Sequence, residues 1–478
     1  MLLGNTERIC AVFVERGTMP AKLRRLVFPL FVIIASCVLS IGYLQILSKW
    51  WFQDDPHQYF YVVNIHDPLA IFLNPEVLRG FGVGNALVPL QLLSYWIDVH
   101  LFGAHPLPAY MHNTVSFVAA SLLLYTVVKG WADNEHLALA TTLVWMLLPS
   151  TIAVHYFIAT RHYMEGLVFA LGMMIGLQQL RDMKPGRRPL LLFTIGSLGF
   201  LAMLCKEIYA TVIPVILAYY SLKERRITLA LLAVVLSAGY AGYRAVFLGV
   251  DLSYTYPYVV GMEYVYFLSV LPIMFTGSST GYIFYAAFLF LTVWFVWTRP
   301  FSWTNPAILF VSLVGVSLVA IYPVTFALLR TYQVPGPWYR ATFLLNSILL
   351  VWGVYTLQFA KHQAIRIAVI GICVCLLLPS AEHTRQYWTN AMARAKAEGL
   401  FYLTYPDRLL YSEEEASWFI VGVHELYNVP VRHYINRQYH TDSVARDAVQ
   451  RYDTIWRYHQ GDFIPDEQLF EAIRRENN

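Results

Sequence analysis

Charge is what this chain lacks most. Asp, Glu, Lys and Arg make up 13% of its 478 residues, about half the share a soluble domain carries. With 58% hydrophobic residues, it does not read as a string of soluble domains, so the usual length-per-domain estimate does not apply. The net charge of +4 is small and implies no nucleic-acid partner. Cysteine is scarce as well. Cys10, Cys37, Cys205, Cys373 and Cys375 lie in the N-terminal segment or in apolar runs, and none follows residue 375. That pattern suggests neither a disulfide framework nor a CxxC zinc site. A helical repeat of about 34 residues and low-complexity tracts are also missing. The first apolar run, 26–48, is too long for a signal-peptide core and lacks an A-x-A cleavage site, so it is read as a retained first span.

What the chain does have is apolar runs of membrane length. A span needs about 20 mostly apolar residues. Candidates are 26–48, 107–128, 137–158, 163–180, 189–205, 208–222, 227–249, 281–298, 306–329, 341–360 and 365–381. The run 208–222 is short. Two further apolar stretches, 86–103 and 264–276, are interrupted by polar or Gly/Pro positions and fit helices along the interface. The expected fold class is an all-α polytopic membrane protein with about eleven transmembrane helices. A segment 1–25 precedes the membrane domain 26–381. A long first loop, 49–106, and a polar, Tyr-rich tail, 382–478, flank the spans. The tail is long enough for a small folded domain, beginning helically, with a strand-like centre at "ASWFIVGVHELYNVPVRHYI" (416–435).

Basic residues alternate between connections. "AKLRRL", "RDMKPGRRP", "KERR", "WTRP" and "KHQAIR" all fall on the side of the N-terminus, which the positive-inside rule makes cytoplasmic. Eleven spans then place the tail outside. The expected location is an integral membrane protein, with a bacterial inner membrane as the setting.

With that orientation the unusual polar residues share the outer face. Asp54 and Asp55 open the first loop in "WWFQDDPHQYF", followed by His57. "HYFIATRHYMEG" supplies His155, Arg161 and His162, and "LCKEIYA" supplies Lys206 and Glu207. "LLRTYQVPGPWYRATF" adds Arg330 and Arg340, and Arg244 lies near the outer end of its span. Each has a structural alternative. The aspartates could be solvated loop charge, Lys206–Glu207 an ion pair capping a hairpin, and the arginines snorkelling anchors. The histidines could simply be packed. The "DDPH" cluster could hold a divalent cation, since carboxylates and histidine suit Mg²⁺ or Mn²⁺; its spacing specifies none, and no cofactor is required. The combination points to chemistry. A carboxylate can take the proton of an acceptor hydroxyl, and Arg and Lys can neutralise a departing phosphate. A lipid-linked sugar phosphate is the natural activated donor at a membrane surface.

Residues 54–207 resemble the GT-C glycosyltransferases, and among them the polyprenol-phosphate-sugar users such as the protein O-mannosyltransferases and the transmembrane-and-TPR mannosyltransferases. The aspartate pair after the first span looks like the family's first-loop motif. Phe102-Gly103, Pro106 and His112-Asn113 match its second block, Pro149, His155 and Arg161 its third, and Lys206-Glu207 its fourth. The resemblance covers roughly a third of the chain. The family's small-Gly-Arg-Asp turn is replaced by "IATRHYMEG", which leaves the partner of Arg161 open, and the TPR part is missing. What the resemblance implies is a GT-C-type bundle and an inverting glycosyltransferase. Its donor would be a polyprenyl-phosphate-linked sugar and its acceptor a protein, lipid or glycan. One carboxylate of Asp54/Asp55 would be the base, Asp54 favoured with Asp55 orienting or binding the acceptor, and Arg161, Lys206, Arg330 and Arg340 would lie on the donor phosphate. An outer-face glycan ligase or polymerase using a lipid diphosphate is the rival enzyme. A transporter or flippase is the rival from another class, but no half-to-half repeat of the kind transporters carry is visible.

Overall fold

The computed structural model describes residues 21–52, 55–81, 87–249, 271–276, 279–298, 305–331, 342–359, 363–405, 408–412, 423, 426–427, 434–436, 452, 454–459 and 462–477. It is a helical membrane bundle, as expected. Each of the eleven apolar runs is helical over most of its length. Among the described residues six helices are long and apolar enough to cross a membrane, or seven if one bent pair counts as a span. The helices Arg161–Gln179 and Glu207–Glu224 belong to the same bundle but are more polar.

The bent pair corrects one boundary. The run 137–158 is two helices, Glu135–Met146 and Pro149–Tyr156, bent by 59°. Proline cannot donate to the preceding turn and pushes the residue before it out of the helical region. Leu148 accordingly has φ −62 and ψ 133. Asn134 caps the first of the two, its side chain accepting from the Leu137 N–H. The short run 208–222 becomes the 18-residue helix Glu207–Glu224, about 27 Å long at 1.5 Å per residue. The last run does not stop at 381: helix Gln363–Thr404 continues for 42 residues.

Helix Arg161–Gln179 packs against Pro106–Ala132 and Arg188–Cys205, and Glu207–Glu224 against Ile227–Leu248 and Pro306–Thr331. One glycine sets a close approach. A Cβ on Gly166 would lie 2.2 Å from the Tyr209 ring, whose hydroxyl donates to the Tyr163 carbonyl at 2.6 Å. The stretch 86–103 forms helix Pro89–Phe102, which packs on helices Asp55–Val63 and Pro106–Ala132. Of 264–276, residues 271–276 are described and helical.

In the tail, strands β1 (Leu409–Ser412), β2 (Tyr434–Asn436), β3 (Ile455–His459) and β4 (Asp462–Pro465) form one sheet in the order β2-β1-β3-β4. β1 runs parallel to β2 and β3, and β3–β4 is an antiparallel hairpin. Helix Glu467–Asn477 covers it with Phe470 and Ile473, which join Leu409 and Ile455 in a small separate core. Most of the strand-like centre expected at 416–435 lies outside the described residues.

Candidate active site

Asp55 opens helix Asp55–Val63 and is fully buried. Its Oδ2 accepts from the Phe52 N–H at 3.1 Å and its Oδ1 from the Ala159 N–H at 2.8 Å. A carboxylate is well placed at a helix N-terminus, and the bond to Ala159 fastens the first loop to the turn Ile158–Thr160. His57 sits half-buried on the same helix. Asp54 lies outside the described residues.

One turn further along that helix, Tyr59 reaches the partner set of Arg161. Arg161 begins its helix and is completely buried. Its Nη1 donates to Asp98 Oδ2 at 2.6 Å and to Ser94 Oγ at 2.9 Å, and its Nη2 to Tyr59 Oη at 2.6 Å. The guanidinium also lies 5.1 Å from the centre of the Tyr95 ring. Tyr59 donates to Asp98 Oδ2 at 3.0 Å. His112 Nδ1 is 2.8 Å from both Asp98 Oδ1 and Arg161 Nη1. Nη1 has two hydrogens, and Ser94 and Asp98 use both, so Nδ1 is assigned as the donor to Asp98. His112 Nε2 faces Glu165 Oε1 at 3.4 Å, and Ser94 donates to the same oxygen at 2.6 Å. Burial pushes the Asp98 carboxyl up, but Arg161 and His112 outweigh it and hold it below the usual aspartate range. Burial pushes the Tyr59 phenol far above its ordinary value, so it stays a neutral donor.

A looser cluster occupies the next turn. Glu207 Oε1 accepts from the Leu87 N–H at 2.5 Å. Lys206 Nζ is 3.5 Å and Arg244 Nη1 3.6 Å from the Glu207 carboxylate. Lys206 also lies 5.8 Å from the centre of the Tyr163 ring, so both clusters sit at the same end of the bundle. His162 is buried against Tyr163.

His155 and Asn113 stand apart from these clusters. Asn113 Nδ2 donates to the His155 carbonyl at 2.7 Å, the His155 ring stacks on Phe117, and its Nε2 is 2.7 Å from Ser40 Oγ. They tie helix Pro106–Ala132 to the second half of the bent pair. The tail reaches the first loop through the Tyr427 hydroxyl, which accepts from Trp51 Nε1 at 3.0 Å, and through Trp50, stacked on Tyr427. Trp388 of the long helix is buried against Phe52, Phe157 and Tyr156.

The structure thus brings Asp55, Arg161, His112, Lys206, Glu207 and Arg244 to one end. Arg340 and the side chain of Arg330 lie outside the described residues. The residues sequence reasoning missed are Asp98, Glu165, Ser94, Tyr59 and Tyr95. Asp98 is the partner of Arg161 that the altered turn left open. A signal existed: Gln91, Ser94, Tyr95 and Asp98 are buried in helix Pro89–Phe102 at i, i+3, i+4 and i+7, the spacing of one helix face. Among the described residues no group of three or more His, Cys, Asp or Glu could hold a metal ion.

No family model and no curated protein matches the chain. The fold is similar to the Archaeoglobus fulgidus oligosaccharyltransferase, solved in complex with zinc and sulfate, at 12% identity and a TM-score of 0.52, covering 90% of this chain and 67% of that one. It is more loosely similar to ArnT from Cupriavidus metallidurans. For the apo state the identity is 12%, the TM-score 0.49 and the coverage 89% of this chain and 92% of that one. For the form bound to undecaprenyl phosphate these are 12%, 0.48 and 96% of each. At these identities the likeness is one of fold.

Proposed function

We propose that the chain is a GT-C-type membrane glycosyltransferase that moves a sugar, with inversion, from a polyprenyl-phosphate-linked donor to an acceptor on the extracytoplasmic face. The observation that carries this reading is the Asp55 contact. A buried carboxylate bonded to two backbone N–H groups is held in place, which suits an orienting role. Its neighbour Asp54 takes the role of base: it accepts the acceptor's proton as the sugar carbon forms its new bond and the lipid phosphate leaves with the electron pair of the old one. The fold likeness to an oligosaccharyltransferase supports the same class.

The cations divide. Arg161 is neutralised by Asp98 and serves as the anchor of the turn that Asp55 grips. Lys206, Arg244, Arg330 and Arg340 are the residues for the donor phosphate; Lys206 and Arg244 stand 3.5 and 3.6 Å from the Glu207 carboxylate, longer contacts than those that hold Arg161. The positive-inside pattern of the basic connections supports an N-terminus inside and a tail outside, with the tail at the acceptor side of the loop that carries Asp54.

The test is transfer from a panel of polyprenyl-phosphate sugars by the purified chain in nanodiscs. Asp54→Asn should lower the rate by about 10²–10⁴-fold with donor binding intact. Transfer only from lipid-diphosphate sugars would move the chain to the ligase class. Undiminished transfer by Asp54→Asn would remove the assignment of the base.

A further inference from the structure

A second feature lies away from the charged end. An elongated cavity of about 210 Å³ runs between helices Arg161–Gln179, Glu207–Glu224, Pro106–Ala132, Pro306–Thr331 and Phe343–Leu357. It begins beside Tyr209, beneath the turn that holds Lys206, and reaches Lys223. That stretch of helix is about 21 Å long at 1.5 Å per residue. Leu167, Ala170, Val212, Leu313 and Trp352 are typical of its wall, and Lys223 is the one charged residue among those lining it.

Protein interiors are close-packed, and an apolar void of this size accepts apolar guests rather than water. The far end is different in character. Lys223 is exposed and its Nζ lies 5.9 and 5.5 Å from the centres of the Tyr219 and Tyr220 rings. The Tyr220 hydroxyl accepts from Trp131 Nε1 at 2.9 Å. Glu224, Arg225 and Arg226 follow directly in sequence, so Lys223 lies in a stretch with three cations and one carboxylate. Lys129, close by in the bundle, is already paired with Glu135. A narrow apolar channel with a cationic, aromatic mouth is complementary to an amphiphile with an anionic head. Lysine among aromatic rings is a membrane-interface arrangement.

We propose that this cavity holds one acyl chain of an anionic phospholipid, with its phosphate at Lys223, entering from the membrane face opposite Asp55. The site is separate from the sugar-transfer reading and stands without it. Its occupant comes from the leaflet on the Lys223 side.

The experiment titrates the purified full-length chain in detergent with phosphatidylglycerol carrying brominated acyl chains, which quench nearby tryptophan emission. Trp131 and Trp352 line the cavity. Saturable quenching is expected, stronger than with brominated phosphatidylcholine, and reduced in Trp352→Phe. Lys223→Gln should weaken it about fivefold, and Ala170→Phe, which puts a ring into the channel, should abolish the saturable part. If Ala170→Phe does not fold, Val212→Phe makes the same test. Equal quenching by the two lipids, or quenching unchanged by the plugged variants, would mean lipid contact at the outer surface only and overturn the site. Displacement of brominated phosphatidylglycerol by polyprenyl phosphate at lower concentration than by unlabelled phosphatidylglycerol would also overturn it, assigning the channel to a donor tail.

Discussion

Arg161 and the Lys206–Arg244 pair lie at the same end of the bundle and differ in how they are held. Arg161 is sealed: Asp98, Ser94 and Tyr59 accept from it at 2.6–2.9 Å, and it has no exposed surface. Lys206 and Arg244 stand 3.5 and 3.6 Å from one shared carboxylate, with side chains 17% and 10% exposed. A buried charge is tolerated only when paired and hydrogen-bonded, and Asp98, Ser94 and Tyr59 supply that pairing at the two terminal nitrogens of Arg161. The Lys206–Arg244 pair is held by longer contacts and keeps some exposure. Both clusters have the composition expected of a phosphate site, and only their contacts separate an anchor from a grip.

The sharpest way to break this contrast is Arg161→Ala. Removing one partner of a buried pair leaves Asp98 uncompensated, which costs about 3–5 kcal/mol. Denaturant unfolding in detergent should show that loss. Replacing the pair by apolar residues of similar volume, Arg161→Met with Asp98→Leu, should recover most of the stability. An Arg161→Ala chain with unchanged stability and lost donor binding would make Arg161 a grip after all.

Tyr59→Phe is the next largest effect. It deletes one hydroxyl that donates to Asp98 and accepts from Arg161 while keeping the ring. A hydrogen bond to a charged group contributes about 1.5–3 kcal/mol. The expected result is a stability loss near that size, with donor affinity preserved. Equal stability of the two proteins would show that Arg161 is held without the phenol.

Lys206→Ala and Arg244→Ala should behave in the opposite way. Donor affinity should fall by about tenfold each, or 1.4 kcal/mol, read with a polyprenyl-phosphate sugar in nanodiscs. Stability should move less than in Arg161→Ala, because these contacts are longer and less enclosed. A stability loss without an affinity change would make this cluster a structural cap on the 206–207 turn.

How far the sequence carried these contrasts depends on range. The spans were legible because each is a local run whose length is set by the membrane. The bend at Leu148 was hidden inside a run that stays apolar across it, although Pro149 marked the place. Arg161 stood out, but its partner Asp98 is 63 positions away, in a stretch read as an interfacial helix. Its polar face was legible only through its i, i+3, i+4, i+7 spacing. Asp55 was visible as one of two adjacent carboxylates, but its bond to Ala159 spans 104 positions, beyond any local pattern. The tail sheet pairs Leu410 with Tyr434 and Trp456, and such nonlocal pairing leaves little trace in composition.

The smallest expected effect is in acid, and it reads the Asp98 end of the sealed cluster directly. Arg161 and His112 hold the Asp98 carboxyl below its usual range against the opposing effect of burial. A depressed carboxylate stabilises the fold at pH values above its unfolded value, about 3.9. That stabilisation is lost as pH falls through the folded value. Wild-type stability should therefore drop below about pH 4, whereas Asp98→Asn, already weaker at neutral pH, should drop less over the same interval. The gap between the two proteins should narrow on acidification. Glu165 faces the same histidine at 3.4 Å, so Glu165→Gln serves as the control for changes at the shared imidazole. Unfolding free energies measured from pH 7 to pH 3 decide the matter. If the wild type and Asp98→Asn fall in parallel, Asp98 is not titrating against Arg161, and the seal around that arginine comes from Tyr59 and Ser94 instead.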